Sequence, residues 1–172
     1  TPKERGGKRG NVKPEAILKW AHTPISMLAG MWQADFEARQ KQAATNAGSD
    51  ARPPVFILVC KNTKIAKVIH DWLANDICPA DISPHKIDWL RNRDGTLVTV
   101  RVDTKVVKET DSGSAKSDET RWMRHTLDTV GKLDWPKDRQ GRPIYPEGFE
   151  ALAAKLGCPP HPPGRDVRCI VS

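Results

Sequence analysis

The stretch PPVFILVCKNTKIAKVIHDWL, Pro53 to Leu73, constrains the fold more than any other part of the chain. Apolar or sulfur-bearing residues run without interruption from Val55 to Cys60, a pattern typical of a strand covered by helices on both faces of a parallel sheet. After the polar step Lys61-Asn62-Thr63 the apolar residues recur at helical spacing. Asn62 or Thr63 is a typical helix cap, so the helix is expected to begin there. The stretch therefore predicts a buried strand followed directly by an amphipathic helix. The apolar stripe of that helix comprises Ile65, Val68, Ile69, Trp72 and Leu73.

The same two patterns recur in the rest of the chain. Residues 14–47 have helical spacing, and Pro24 is expected to split them into two helices. Strands separated by helices imply parallel pairing with right-handed crossovers. We therefore predict an α/β fold with a parallel sheet flanked by helices. The other predicted elements are strands at residues 96–102 and 166–172 and helices at residues 116–130 and 147–156.

Composition sets two segments apart from this pattern. Residues 132–164 are rich in proline, glycine and charge and are predicted to be an insertion. Residues 1–13 form a basic, Gly-rich arm, which either binds nucleic-acid phosphates or is a solvated linker. Its basic residues include Lys3, Arg5, Lys8 and Arg9. The chain has no apolar run of about 18 residues and no signal-peptide pattern, so we expect a soluble cytoplasmic protein with no membrane partner.

The six tryptophans are interpreted mainly as core residues. Trp20, Trp32, Trp72 and Trp122 fall on apolar helix faces. Trp89 and Trp135 stand in loop-like segments beside arginines and lysines, where stacking on nucleic-acid bases is the alternative to packing.

The four cysteines are also interpreted as structural. Cys60 and Cys169 lie in strand-like runs and are predicted core residues. Cys158 and His161 have C-x-x-H spacing, and Cys78 with His85 supplies the other ligand types of a zinc site. Zinc sites normally have tighter paired spacing, so we predict no metal.

Four segments together resemble a known protein family. They are Pro53–Leu73, GTLVTVRVDTKVV (95–107), DETRWMRHTLDTVGK (118–132) and DVRCIVS (166–172). In this order they look like the second RecA-like domain of superfamily 2 helicases, in particular the restriction subunit of type III restriction-modification systems and related DEAD/DEAH-box proteins. The resemblance covers most of residues 14–131 and 165–172. It implies an incomplete RecA-like sheet in a fragment of a longer protein, with an exposed sheet edge or apolar face.

The resemblance also implies a function for the strand ends. The step at Lys61 matches helicase motif IV, and the strand at Arg168 matches the one leading into motif V. In the family, the first helps to shape the nucleic-acid track and the cleft of the second motor domain, and the second continues into a segment that contacts both DNA and the nucleotide site. Implied partners are double-stranded DNA, the first RecA-like domain of the same parent chain and a modification (methyltransferase) subunit. The residues implied to face nucleic acid or the cleft are Lys61, Asn62, Thr63, Asp103, Thr104, Lys105 and Ser172.

The chain departs from the family in the parts that ATP hydrolysis requires. It contains no G-x-x-x-x-G-K-S/T phosphate loop, no acidic run to hold Mg²⁺ and no late arginine motif. ATP and Mg²⁺ are therefore implied for the parent protein only, no catalytic residue is assigned, and this chain alone is predicted to be inactive. The main alternative is a stand-alone α/β nucleic-acid-binding module without motor activity. A Rossmann-like enzyme is disfavoured, because no G-x-G-x-x-G turn follows either early strand.

Overall fold

The computed structural model describes residues 5–6, 11–46, 48–49, 52–93, 95–103 and 117–172. Two short paired strands, β1 (Arg5–Gly6) and β2 (Asn11–Val12), precede a long helix, α1 (Ala16–Thr45). Single turns of 3-10 helix lie at Asp88–Leu90 and Pro163–Asp166. The remaining elements, in chain order, are β3 (Phe56–Leu58), α2 (Thr63–Asn75), β4 (Thr99–Arg101), α3 (Asp118–Asp128), α4 (Phe149–Leu156) and β5 (Cys169–Val171).

The strands β3, β4 and β5 form a parallel sheet in the order β3-β5-β4. The strand β5 is therefore central, and its Cys169 is aligned with Phe56 on one side and with Thr99 on the other. The α/β class, the parallel pairing and the flanking helices predicted from the sequence are confirmed. None of the helices in the described ranges has the length and apolarity needed to span a bilayer.

The main hydrophobic core lies between one face of this sheet and the helices α1 and α2. The predicted stripe of α2 faces it, with Ile69, Trp72 and Leu73 fully buried and Ile65 and Val68 packed at its border. Burial of one such large side chain contributes about 1.5–3 kcal/mol, so the stripe fixes α2 on the sheet. The sheet residues in this core are Phe56, Leu58, Cys60, Cys169 and Val171.

The predicted break at Pro24 is wrong, because α1 continues through the proline. Leu18 lies before Pro24 and Ile25 and Ala29 after it, and all three are buried on the same helix face. This packing on both sides of Pro24 outweighs its missing N–H. Trp20, whose carbonyl would have accepted that N–H, is on the exposed side of the helix, where water can bond it.

Two predictions of burial are also wrong. Trp20 is 67% exposed, because it lies on the face of α1 opposite Leu18. The strand β3 is not covered on both faces, since Ile57 is 59% and Val59 83% exposed. The reason is that α1 and α2 pack on the face of β3 that carries Phe56 and Leu58, and in the described ranges the other face is left exposed at Ile57 and Val59.

Residues 132–164 pack against α3 and form a second hydrophobic cluster. The ring of Trp135 lies 4.8 Å from that of Phe149, and its indole N–H donates to the carbonyl of Pro160 at 2.8 Å. Trp135 is thus buried in a core, which excludes the alternative of base stacking for it. Whether residues 132–164 are an insertion relative to a family stays a prediction. The cluster comprises Trp122, Trp135, Phe149, Leu152 and Ala153.

Candidate nucleic-acid interface

The carboxyl ends of the three parallel strands lie side by side, and we call this boundary of the sheet its carboxyl edge. Backbone hydrogen bonds continue past the strands, from the amide of Cys60 to the carbonyl of Ser172 at 2.5 Å and from the amide of Val102 to the carbonyl of Val171 at 2.8 Å. The segments that lead into Lys61 and Asp103 therefore flank Ser172 on its two sides. In open parallel sheets ligands bind beyond this edge.

The helix α2 begins at this edge. Asn62 caps it, because its side-chain Oδ1 accepts a hydrogen bond from the amide of Ile65 at 3.0 Å. The other N–H groups of the first turn have no partner within the helix, so a partial positive charge is directed towards the edge. Lys61, Asn62 and Thr63 are all exposed there.

Two further lysines, which the sequence analysis did not single out, lie beside this edge. Lys64 and Lys67 line a groove of about 500 Å³ that runs along the whole of α2 to Pro79, and its lining also includes Glu15 and Asp71. Lys67 forms an ion pair with Asp71. Lys64, in contrast, has no carboxylate within 4 Å in the described part of the chain. The sequence signal for this face is the spacing of Lys64 and Lys67, since residues three apart are neighbours on a helix, together with Lys61 just before the cap.

The ion pair with Asp71 compensates the positive charge of Lys67. Burial acts to raise the pKa of the Asp71 carboxyl, but hydrogen bonds from Lys67 and His70 outweigh it and hold that pKa below its usual value. Asp71 is therefore ionised at neutral pH, and the cations still open to a ligand at the start of α2 are Lys61 and Lys64.

On the opposite side of the edge, Asp103 is paired with an arginine. The carboxylate of Asp103 lies 3.7 Å from the guanidinium of Arg101, and its side chain is only 13% exposed. Of the other predicted residues, Arg5 lies in β1, whose ladder with β2 gives the arm a short antiparallel segment. The following predicted residues lie outside the described part of the chain: Lys3, Lys8, Arg9, Thr104 and Lys105.

The two thiols behind the edge are not nucleophiles. Burial raises the pKa of Cys60, and it raises the pKa of Cys169 to about 12. A thiol reacts as its thiolate, so both stay protonated and unreactive at neutral pH. Cys169 is fully buried and Cys60 packs against the main core, as predicted.

The cysteines and histidines do not assemble into a zinc site. His85 is buried, with Nε2 2.7 Å from the carbonyl of Leu73 and Nδ1 3.2 Å from the amide of Ile87, so both ring nitrogens have backbone partners. Burial lowers the pKa of His85, which keeps the ring neutral. In the ranges that the structure describes, no three His, Cys, Asp or Glu side chains are grouped so that they can hold a metal ion.

Comparison of the chain with known proteins finds no relative. No protein-family model matches the chain, no curated protein matches it, and no solved structure matches it. The similarity to helicases therefore stays an expectation from the residues.

Proposed function

We propose that the carboxyl edge of the sheet is a nucleic-acid track, and that this chain is part of the second RecA-like domain of an ATP-dependent DNA motor of the type III restriction endonuclease family. The observation that carries the proposal is the cationic start of α2 at that edge. Lys61 and Lys64 lie on either side of the exposed cap Asn62 in the sequence. Lys61 directly follows Cys60, whose amide bonds the carbonyl of Ser172 at the end of the central strand.

The start of α2 carries the groups that recognise phosphate. Ammonium groups and the N-terminal amides of a helix are the groups that bind phosphate oxygens in proteins. Lys61 and Lys64 supply the first, the start of α2 supplies the second, and Thr63 adds a hydroxyl.

The motor assignment depends on the family resemblance and on the parallel sheet that is common to RecA-like domains. ATP and Mg²⁺ belong to the part of the parent protein that carries a phosphate loop. Closure of the cleft between that part and this edge would move Lys61 and Lys64 relative to the DNA. The modification subunit would select the DNA site.

Duplex binding tests the track directly. We expect the double substitution of Lys61 and Lys64 by Gln to reduce the slope of log K against log salt by about 1.8, since each duplex phosphate contact contributes about 0.9. Lys41→Gln, on an exposed part of α1, is the matched control and leaves the slope almost unchanged. Fluorescence anisotropy with a labelled duplex between 50 and 200 mM salt measures it, and equal slopes for the double variant and the control would refute the track.

A second measurement separates the motor from the alternative of a stand-alone binding module. In the parent protein, Asn62→Ala and Thr63→Ala are expected to lower DNA-stimulated ATP hydrolysis and translocation. Unchanged rates would contradict the motor assignment. Reading the gene on either side of this chain gives an independent answer, because a phosphate loop upstream supports the motor, and start and stop codons at these ends support the module.

A further inference from the structure

A second basic cavity lies at the opposite, amino-terminal edge of the sheet. It has a volume of about 340 Å³, and its lining includes Val98 and Arg168, the residues that precede β4 and β5. The amide of Arg168 donates to the carbonyl of Val98 at 2.8 Å, which fixes both at this edge. The track proposed above is at the other end of the same strands, so the two sites are distinct.

Two arginines of this cavity have little charge compensation. The side chain of Arg168 is 16% exposed, and Asp166, at 4.0 Å, is the only carboxylate within 4 Å of it in the described ranges. Its Nη1 donates to the carbonyls of Arg165 and Val167, which are neutral acceptors. Asp166 is also shared with His161 and Arg165. Arg93 is exposed, and no described carboxylate lies within 4 Å of it. A mostly buried cation whose one carboxylate partner lies 4.0 Å away and is shared with other cations favours an anionic ligand.

The third arginine and its neighbours are already paired. Arg91 donates to Asp76 at 2.5 Å and forms a second ion pair with Asp88. Asp88 therefore does not neutralise Arg93 or Arg168, although it lines the same cavity. The lining as a whole carries three arginines and two aspartates, so it has a net positive charge.

An aromatic ring completes the cavity. Trp89 is 41% exposed, although the next residue, Leu90, is fully buried and anchors the turn. The ring of Trp89 lies 5.5 Å from that of Phe36 in an edge-to-face arrangement. The guanidinium carbon of Arg168 lies 5.6 Å from the centre of the Phe36 ring. An exposed, anchored tryptophan next to cations is the arrangement that proteins use to stack a nucleic-acid base beside its phosphate.

We propose that this cavity binds one nucleotide unit of single-stranded DNA, with the base on Trp89 and the phosphate on Arg93 and Arg168. The proposal does not depend on the motor assignment, because it uses no residue of the carboxyl edge. It adds a second contact on the same domain, to an unpaired strand rather than to a duplex. A free nucleotide has the same chemistry, and the test below distinguishes the two sources.

The test is binding of a fluorescein-labelled dT12 oligonucleotide, measured by anisotropy at several salt concentrations. We expect Trp89→Leu to weaken binding about fivefold or more without changing the salt slope, and Trp89→Phe to restore most of it, since base stacking needs an aromatic face. Arg93→Gln is expected to reduce the salt slope by about 0.7, the contribution of one single-strand phosphate. Arg139→Gln removes another exposed arginine and is the matched control.

Several results would overturn the proposal. Equal affinity of wild type and Trp89→Leu, with thermal unfolding showing both folded, excludes stacking in the cavity. Equal slopes for Arg93→Gln and Arg139→Gln exclude the phosphate contact. Displacement of dT12 by dTMP at concentrations similar to those of unlabelled dT12 assigns the cavity to a free nucleotide, and tighter binding of U12 RNA assigns it to RNA. Substitution of Lys61 and Lys64 by Gln should alter duplex binding and leave dT12 binding unchanged. A failure of the duplex track can therefore be distinguished from a failure of the single-strand cavity.

Discussion

Gly164 is the position where one added methyl group is expected to be most damaging. It lies in the turn Pro163–Asp166, which packs on the end of α3 just before β5. A Cβ on Gly164 would lie 2.3 Å from the carbonyl oxygen of Thr126 and 2.4 Å from backbone atoms of Thr129 and Val130. These are main-chain atoms that no rotamer change can move, so turn and helix must separate by roughly 1 Å to reach ordinary contact.

The cost of Gly164→Ala follows from this geometry. Overpacking of this kind costs about 1–3 kcal/mol, and a rigid main chain puts it at the upper end. Separation also lengthens the hydrogen bond from the Gly164 amide to the Thr129 hydroxyl, now 2.9 Å, which is worth about 1 kcal/mol. We therefore expect a loss of about 3–4 kcal/mol, which lowers the melting temperature by about 6–16 °C for a chain of this size.

Thermal unfolding followed by circular dichroism measures this loss. Gly30→Ala is the matched control, because Gly30 is helical and a Cβ there has no atom within 4 Å. Alanine is favoured over glycine in a helix by about 1 kcal/mol, so this control should leave the melting temperature unchanged or raise it slightly. A melting temperature for Gly164→Ala within about 2 °C of wild type would show that the close contact is not as rigid as argued.

Two further predictions concern stability. Burial lowers the pKa of His85 and His125 in the folded chain, so the unfolded chain binds their protons more readily. The free energy of unfolding is therefore at its full value above about pH 6.5 and falls as the pH decreases below it, by at most about 1.4 kcal/mol per pH unit for each histidine. Midpoints of urea unfolding from pH 7.5 to 5 measure this loss of stability. The variant His125→Gln should lose one of the two histidine contributions. A wild-type midpoint that does not change with pH would contradict the prediction. Pro24→Ala is expected to stabilise α1 by about 2 kcal/mol, because it restores a helical hydrogen bond at an exposed site. A melting temperature that does not rise would show that the helix is not continuous at Pro24.

The two edges of the sheet differ in how far they could be predicted. At the carboxyl edge, Lys61, Asn62 and Ser172 follow strand-like runs in the sequence, and parallel strands bring such ends together whatever their order. The cavity at the amino edge joins Phe36, Trp89 and Arg168 from three distant segments. Only Trp89 and its neighbouring arginines were visible as a cluster in the sequence.

The local elements could be predicted from the sequence, because hydrophobic spacing reports which side of a segment is apolar. The stripe of α2, the strand runs and the α/β class all follow from that spacing. Spacing does not report what covers the apolar side, because that depends on segments distant in the chain. The helices α1 and α2 cover only one face of β3, which leaves Ile57 exposed, and Trp135 is buried in a second core although its sequence neighbours are polar. Packing on both sides of Pro24 likewise outweighed a local rule, since several buried side chains contribute more free energy than one missing hydrogen bond.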